Sequence, residues 1–308
     1  MDILINLGIE IPKLLFIDWQ PSIEVFALGP LVIRWYALLW AVGLLLGYAV
    51  EMRIYKQQGI ASKVSDPLLF YCFIGVLIGA RLGHCIFYQP EYFLTSIKGL
   101  VEMILPIRLF ADGSFEIHGY EGLASHGGTI GLFFALMYFW RKNHLRPLMV
   151  LDNVAVAVPI TACCIRLGNL MNSEIVGQPT DVPWAFIFHS YDSLVDGLPV
   201  PRHPAQLYEA IAYFTIFIIT ILIYRYWYNK QKMSNLSPVS IGSGFYFGFC
   251  LAMIFTFRFF VEFIKKEQVD FERDMPLDMG QLLSIPFVII GLIFIVRAIW
   301  RSRRSQVA

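Results

Sequence analysis

Arg166, Asn169, Asn172, Glu174 and Gly177 fall within twelve residues, in Arg-Leu-Gly-Asn-Leu-Met-Asn-Ser-Glu-Ile-Val-Gly. A guanidinium, two carboxamides and a carboxylate at that spacing can hold and orient an oxyanion. The run before them, Val150 to Ile165, carries Asp152 as its single charge. An arginine closing such a run stands at membrane depth. There it costs about 2.5 kcal/mol or more and usually faces a bundle interior. Gly168 and Gly177 suit a helix end or a protein-lined re-entrant segment, where backbones turn tightly or approach closely.

Four further groups share this character. Arg258 and Glu262 stand four apart, and Lys265 continues their stripe. They are either an ion pair joining helices or a cationic surface for an anionic headgroup, with Glu262 orienting Arg258. Arg81, His84 and Tyr88 recur on one helical face, as a snorkelling stripe or a polar wall. His126 lies in Ser-His-Gly-Gly-Thr-Ile-Gly, where it is either a packing residue or a general base. Arg202 to Glu209 precedes an apolar run and can cap it or take part in chemistry, while Arg34-Trp35-Tyr36 opens another run. The arginines, histidine and glutamates together suit an anionic lipid, whose phosphate guanidinium groups bind in bidentate fashion.

Positioning these groups falls to membrane helices. Hydrophobic residues make up 57% of the 308, charged residues 15%, and mean hydropathy is +0.61. A span needs about 20 apolar residues. Seven stretches qualify: 31–50, 67–88, 122–140, 149–171, 206–228, 241–264 and 280–300. The expected fold is all-α, one polytopic membrane domain over residues 1–308. Lys and Arg concentrate after the first, third and fifth spans and in the tail, which places the N-terminus outside and the C-terminus in the cytoplasm.

Two loops, 89–121 and 173–204, then face outward as substructures, with a short strand at Ser114–Ile117. Met1 to Glu10 lacks the basic start of a signal peptide, and Ile11 to Ala27 reads as an interfacial helix. All five cysteines fall in spans, which argues against a disulfide framework, and no His/Cys spacing calls for a metal. A net charge of +1 gives no reason to expect a nucleic-acid partner.

These motifs together resemble the prolipoprotein diacylglyceryl transferase family. The likeness runs in order from Trp35-Tyr36 through Gly79-Ala-Arg81-Leu-Gly83, His126-Gly-Gly128, Arg166–Gly177, Arg202-His-Pro204 and Arg258–Glu262, and closes at Met279–Pro286. The resemblance implies transfer of a diacylglyceryl group from phosphatidylglycerol to the lipobox cysteine thiol of a prelipoprotein. A thioether forms and glycerol 1-phosphate leaves, in a bacterial inner membrane and with no cofactor.

It also implies functional positions at Tyr36, His126, Arg166, Asn169, Glu174, Gly177, Arg258 and Glu262, with Arg81 beside Arg166, Asn169, Gly177 and Arg258 as a lipid contact. His126 would accept the thiol proton, or Arg166 and Arg258 would lower the thiol pKa without a base. Glu174 and Glu262 would orient the arginines. The chain departs from the family pattern at Ile165, Leu170, Ser173, Val176, Ile254 and Lys265. A transporter for an anionic lipid or solute, or a non-catalytic scaffold for lipoprotein maturation, would account for fewer of these features.

Overall fold

The apolar runs fold as helices because a chain in lipid must satisfy its own backbone N–H and C=O groups. A computed structural model describes residues 16–28, 31–105, 107–110, 112–117, 122, 124–234, 239–266 and 277–307. In chain order the elements are β1 (Ile17–Trp19), β2 (Glu24–Leu28), β3 (Leu31–Arg34), α1 (Trp35–Gln57), α2 (Ser62–Ser65) and α3 (Pro67–Phe87). Next come α4 (Pro90–Phe93), α5 (Ile97–Ile104), β4 (Ile107–Leu109), β5 (Phe115–Ile117), α6 (Ser125–Lys142) and α7 (Pro147–Met171). After β6 (Phe186–Phe188) and β7 (Pro201–Arg202), the chain ends in α8 (Ala205–Ser234), α9 (Phe245–Glu262) and α10 (Met279–Val307).

Among the described residues, six helical stretches are long and apolar enough to cross a membrane: Trp35–Gln57, Ser62–Phe87, Pro147–Met171, Ala205–Lys230, Phe245–Glu262 and Met279–Arg301. The protein is therefore a mostly helical, multi-pass membrane protein. The expected span at 122–140 forms as α6 but is not among the six. His126 near its start and Arg141 and Lys142 at its end lower its apolar content.

The described part of the expected interfacial helix at 11–27 is instead extended, as β1 and β2. β1 finds its partner on β6, distant in sequence, while β2 pairs antiparallel with the adjacent β3, and these ladders replace the helical bonds that a local reading expects. Residues 31–34 likewise form β3, so the first long helix starts at Trp35.

The chain divides into two compact units. One comprises Met1–Glu51 and Asp152–Ala308; the other is Met52–Leu151. In the first unit, β1 runs parallel to β6, which pairs antiparallel with β7. This sheet lies against the end of α7: Leu170, Val176, Phe186 and Phe188 form a buried cluster with Trp19 and Leu207 packed on it. The Trp19 indole N–H donates to Leu170 O at 2.9 Å, satisfying a carbonyl in the last turn of α7.

A second cluster joins α7, α8 and α9 through Ala155, Cys163, Ala210, Tyr213, Ile216 and Cys250. Asp152, fully buried, accepts from the backbone N–H groups of Gly242 at 2.8 Å, Gly244 at 2.9 Å and Phe247 at 2.9 Å. The single charge of an otherwise apolar run thus fixes the turn that starts α9.

In the second unit, α3 and α6 touch backbone to backbone. A Cβ on Gly131 would overlap the Gly75 carbonyl, and one on Gly83 would lie 2.8 Å from Gly127 Cα. Small residues at four-residue spacing permit this approach. Between these helices, the expected outer loop holds α4, α5 and the β4–β5 hairpin. The strand expected at Ser114–Ile117 is β5, paired with β4 in the register Ile107–Ile117 and Arg108–Glu116.

Candidate active site

The last turn of α7 carries Arg166 and Asn169 on the same face. Arg166 Nη1 donates to Asn169 Oδ1 at 3.3 Å, and Asn169 Nδ2 donates to Glu174 Oε2 at 3.1 Å. Asn172 Nδ2 holds the other oxygen of Glu174, also at 3.1 Å. Glu174 therefore reaches Arg166 through a carboxamide and does not pair with it directly.

The backbone supports this relay under strain. Ser173 and Ile175 adopt φ of 54° and 58°, a left-handed region that L-residues avoid at a cost of roughly 1–3 kcal/mol each. Glycine would meet no such penalty at 173. Gln206 Nε2 donates to Glu174 O at 2.5 Å and fixes the strained turn.

The direct carboxylate partner of Arg166 is Glu209, on α8. Its Oε2 lies 3.2 Å from Arg166 Nε, and its side chain is fully buried. Its Oε1 lies 3.3 Å from Lys265 Nζ and accepts from the Tyr213 hydroxyl at 3.1 Å. Lys265 also meets Glu262 Oε2 at 3.3 Å. The result is a buried chain Arg166–Glu209–Lys265–Glu262 across α7, α8 and the end of α9. Burying charge costs several kcal/mol per ion unless partners repay it, and here each ion has one or two. Gly280 on α10 leaves the room that the Glu262 carboxylate occupies, since a Cβ there would lie 2.5 Å from its oxygen.

The expectation that Glu174 and Glu262 each orient an arginine is thus redistributed. Glu209 holds Arg166, and Glu262 holds Lys265. Arg258, half-buried on α9, makes no hydrogen bond or ion pair with the described residues, although it lies close enough to Tyr213 to influence its charge. Of the three cations in the cluster it alone has no carboxylate partner among the described residues.

Tyr36 enters the same neighbourhood from the start of α1. Its ring lies across Gly168, where an added Cβ would stand 3.0 Å from Tyr36 Cδ2, and it is within electrostatic reach of Arg166 and Glu174. Gly177 is required by close approach: a Cβ would come within 2.5 Å of His203 Cβ and 2.8 Å of Ile264 O. Its N–H donates to His203 O at 2.9 Å, and its carbonyl accepts from Arg202 Nη1 at 3.0 Å. Arg202 Nε also donates to Ser193 O at 2.7 Å, so Arg202 acts as a buried tie for the loop 173–204. Burial pushes the neighbouring His203 below its ordinary value of 6.5. Ile254 packs on the apolar cluster of α7–α9.

His126 and Arg81 belong to the second unit. His126 is exposed in the first turn of α6. Arg81 is buried: it donates to Glu102 O at 2.8 Å and Met103 O at 3.4 Å, satisfying carbonyls at the end of α5, and stacks over Phe93 at 4.8 Å. The residues missed from sequence were Glu209 as a hub and Tyr213 four residues on. An acid four residues before a tyrosine inside an apolar helix was the available signal.

These features describe a multi-pass membrane protein with a buried ionic network and one open guanidinium. Comparison with known proteins is consistent with that class. The family model described as prolipoprotein diacylglyceryl transferase matches residues 23–297. A phosphatidylglycerol–prolipoprotein diacylglyceryl transferase of Bacteroides fragilis is 53% identical over 281 residues, covering 91% of this chain and 95% of its own. Proteins with the same name from Chloroherpeton thalassium and Tolumonas auensis are 39% and 38% identical, covering 94% and 90% of this chain and 97% and 96% of theirs. The chain belongs to the prolipoprotein diacylglyceryl transferase family.

Proposed function

We propose that this chain transfers the diacylglyceryl group of phosphatidylglycerol to the lipobox cysteine of prelipoproteins, as one integral domain of a bacterial inner membrane. The observation that carries this reading is the contrast between the two arginines. Arg166 is locked by Glu209 and Asn169, while Arg258 has no hydrogen-bond or ion-pair partner among the described residues. A bound phosphate ester would complete that arrangement, with Arg258 and Arg166 as its cations and Asn169, Tyr36 and the backbone at Gly177 around the glycerol. Arg81, expected as a further lipid contact, is proposed to act through the α5 end that it holds.

In the step itself the cysteine sulfur bonds to the diacylglycerol carbon and the carbon–oxygen bond to phosphate breaks. Glycerol 1-phosphate departs with the bonding electron pair. The arginines stabilise charge developing on the leaving phosphate. A free thiol ionises near 8.5, so a base or nearby cation raises the reactive fraction. His126 is the proposed acceptor of the thiol proton. If His126→Gln kept near-wild-type transfer while Arg166→Ala lost it, the arginines alone would activate the thiol.

The deciding experiment uses the purified full chain in phosphatidylglycerol vesicles with a lipobox peptide, read by mass spectrometry. A diacylglyceryl mass gain, absent with a Cys→Ser peptide, is expected. Folded protein giving no adduct would point instead to lipid movement without covalent product.

A further inference from the structure

Where α3 and α6 touch, the second unit carries a furrow of about 600 Å³. Gly75, Gly79 and Gly131 contribute no side chain to it, and Ile78, Ile130 and Phe134 stand at its sides. Those three are about half exposed, at 53%, 52% and 55%. The polar side-chain atoms in its lining are the hydroxyls of Tyr71 and Tyr138; every other lining side chain is apolar. Because α3 belongs to a stretch able to cross a membrane, Ser62–Phe87, the furrow opens toward hydrocarbon.

One end of the furrow differs from the rest. Tyr71, in the second turn of α3, and Tyr138, one turn before the end of α6, meet edge to face with ring centres 5.4 Å apart. Lys142 reaches back over both. Its ammonium donates to the Tyr71 hydroxyl at 2.9 Å and lies 5.4 Å from each ring centre. These partners are neutral, and among the described residues no carboxylate pairs with Lys142. A basic group seated on aromatic rings at a helix end marks the level of lipid headgroups. An ammonium has three donors, so it can hold a phosphate oxygen while Tyr71 keeps it in place.

We propose that this furrow binds one anionic phospholipid, with an acyl tail laid between α3 and α6 and its phosphate on Lys142. The volume suits a small-molecule site, which usually measures about 300–1,000 Å³. Charge complementarity selects the occupant. An apolar furrow by itself would also take a membrane helix, such as the apolar segment of a signal peptide. In the expected orientation, however, the basic start of that peptide would meet Lys142 as a like charge. An anionic phospholipid instead joins an apolar tail to the anion that Lys142 can receive. This lipid is distinct from the reacting one, because none of the residues proposed for transfer lines the furrow.

The test uses phosphatidylglycerol and phosphatidylcholine probes, each with a photoreactive diazirine in one tail, in vesicles holding the purified full chain. After irradiation, mass spectrometry locates the adducts. In wild type the phosphatidylglycerol probe is expected to label Ile78, Ile130 or Phe134 about five-fold more than the phosphatidylcholine probe, the order that one cation contributes at a membrane surface. Adducts on the exposed Ile290 and Ile293 of α10 give the reference, where both probes should label alike. Lys142→Gln should erase the preference, and Lys142→Arg should keep it. Tyr71→Phe removes the hydroxyl that holds the ammonium but keeps the ring, so it should weaken the preference without emptying the furrow. Equal labelling by the two probes in wild type, or a preference that survives Lys142→Gln, would overturn the site and leave only the ordinary lipid shell. Loss of labelling on adding a lipobox signal peptide would also overturn it and give the furrow to a peptide helix. The readout needs no transfer, so its failure and that of the proposed function are separate.

Discussion

At the scale of single residues, Glu209 and Arg258 divide the labour of the ionic network. Glu209 is fully buried and neutralises both Arg166 and Lys265. Removing one partner from a buried pair costs about 3–5 kcal/mol, because the remaining charges lose their compensation. Glu209→Gln should therefore lower both the unfolding midpoint and transfer, the latter at least ten-fold, about 1.4 kcal/mol in the barrier. Unchanged activity and midpoint would remove it from the site. Arg258 makes no hydrogen bond or ion pair with the described residues. Arg258→Ala should abolish most transfer while costing less stability than Glu209→Gln, because it strips no described carboxylate of its partner. Matched unfolding and mass-spectrometric assays separate the two behaviours. A destabilisation like that of Glu209→Gln would make Arg258 structural.

At the scale of elements, short connections do the positioning. The strained turn at Ser173–Ile175 directs Glu174 to the two carboxamides, and the backbone bridge at Gly177 ties that turn to the chain just beyond α9. In the second unit, Glu102 joins α5 to β4. Burial pushes its carboxyl up, but the Tyr92 hydroxyl, the Leu109 N–H and the charges of Lys98 and Arg108 outweigh that and hold it below its ordinary 4.5. A carboxyl lowered on folding contributes stability above its unfolded value and loses it as pH falls through the folded one. The stability difference between wild type and Glu102→Gln should thus be constant near neutral pH and shrink below 4.5. Thermal unfolding over a pH series checks this. A difference that grew with acid would reverse the sign.

At the scale of the whole molecule, the open matter is the number of crossings. Among the described residues six helices qualify by length and apolar content, and α6 would be the seventh. With seven, the loop after α6 is cytoplasmic and residues 173–204 face outward. In a cysteine-free background, Tyr191→Cys should react with an impermeant maleimide on intact cells. His144→Cys should react only after permeabilisation. External labelling of His144→Cys would reverse the predicted orientation of α6.

The apolar runs and the polar residues interrupting them were legible without coordinates. Lipid forces a long apolar segment into a helix, and an intramembrane charge must find a partner. Hence the helices, the Arg166–Gly177 segment and the Arg258–Glu262–Lys265 stripe could be read from the sequence. The identities of the partners could not. Arg166, Glu209 and Lys265 lie on three separate segments, and which carboxylate meets which cation follows from how those segments pack. For the same reason nothing local marked Asp152, the single charge of its run, as the acceptor for the turn before α9. β1 looked helical until β6, distant in sequence, supplied its hydrogen bonds. Sequence determined that this protein carries buried charge in a membrane; tertiary structure decided which of the described charges pair and that Arg258 finds no partner among the described residues, because pairing depends on distances between segments that no local pattern encodes.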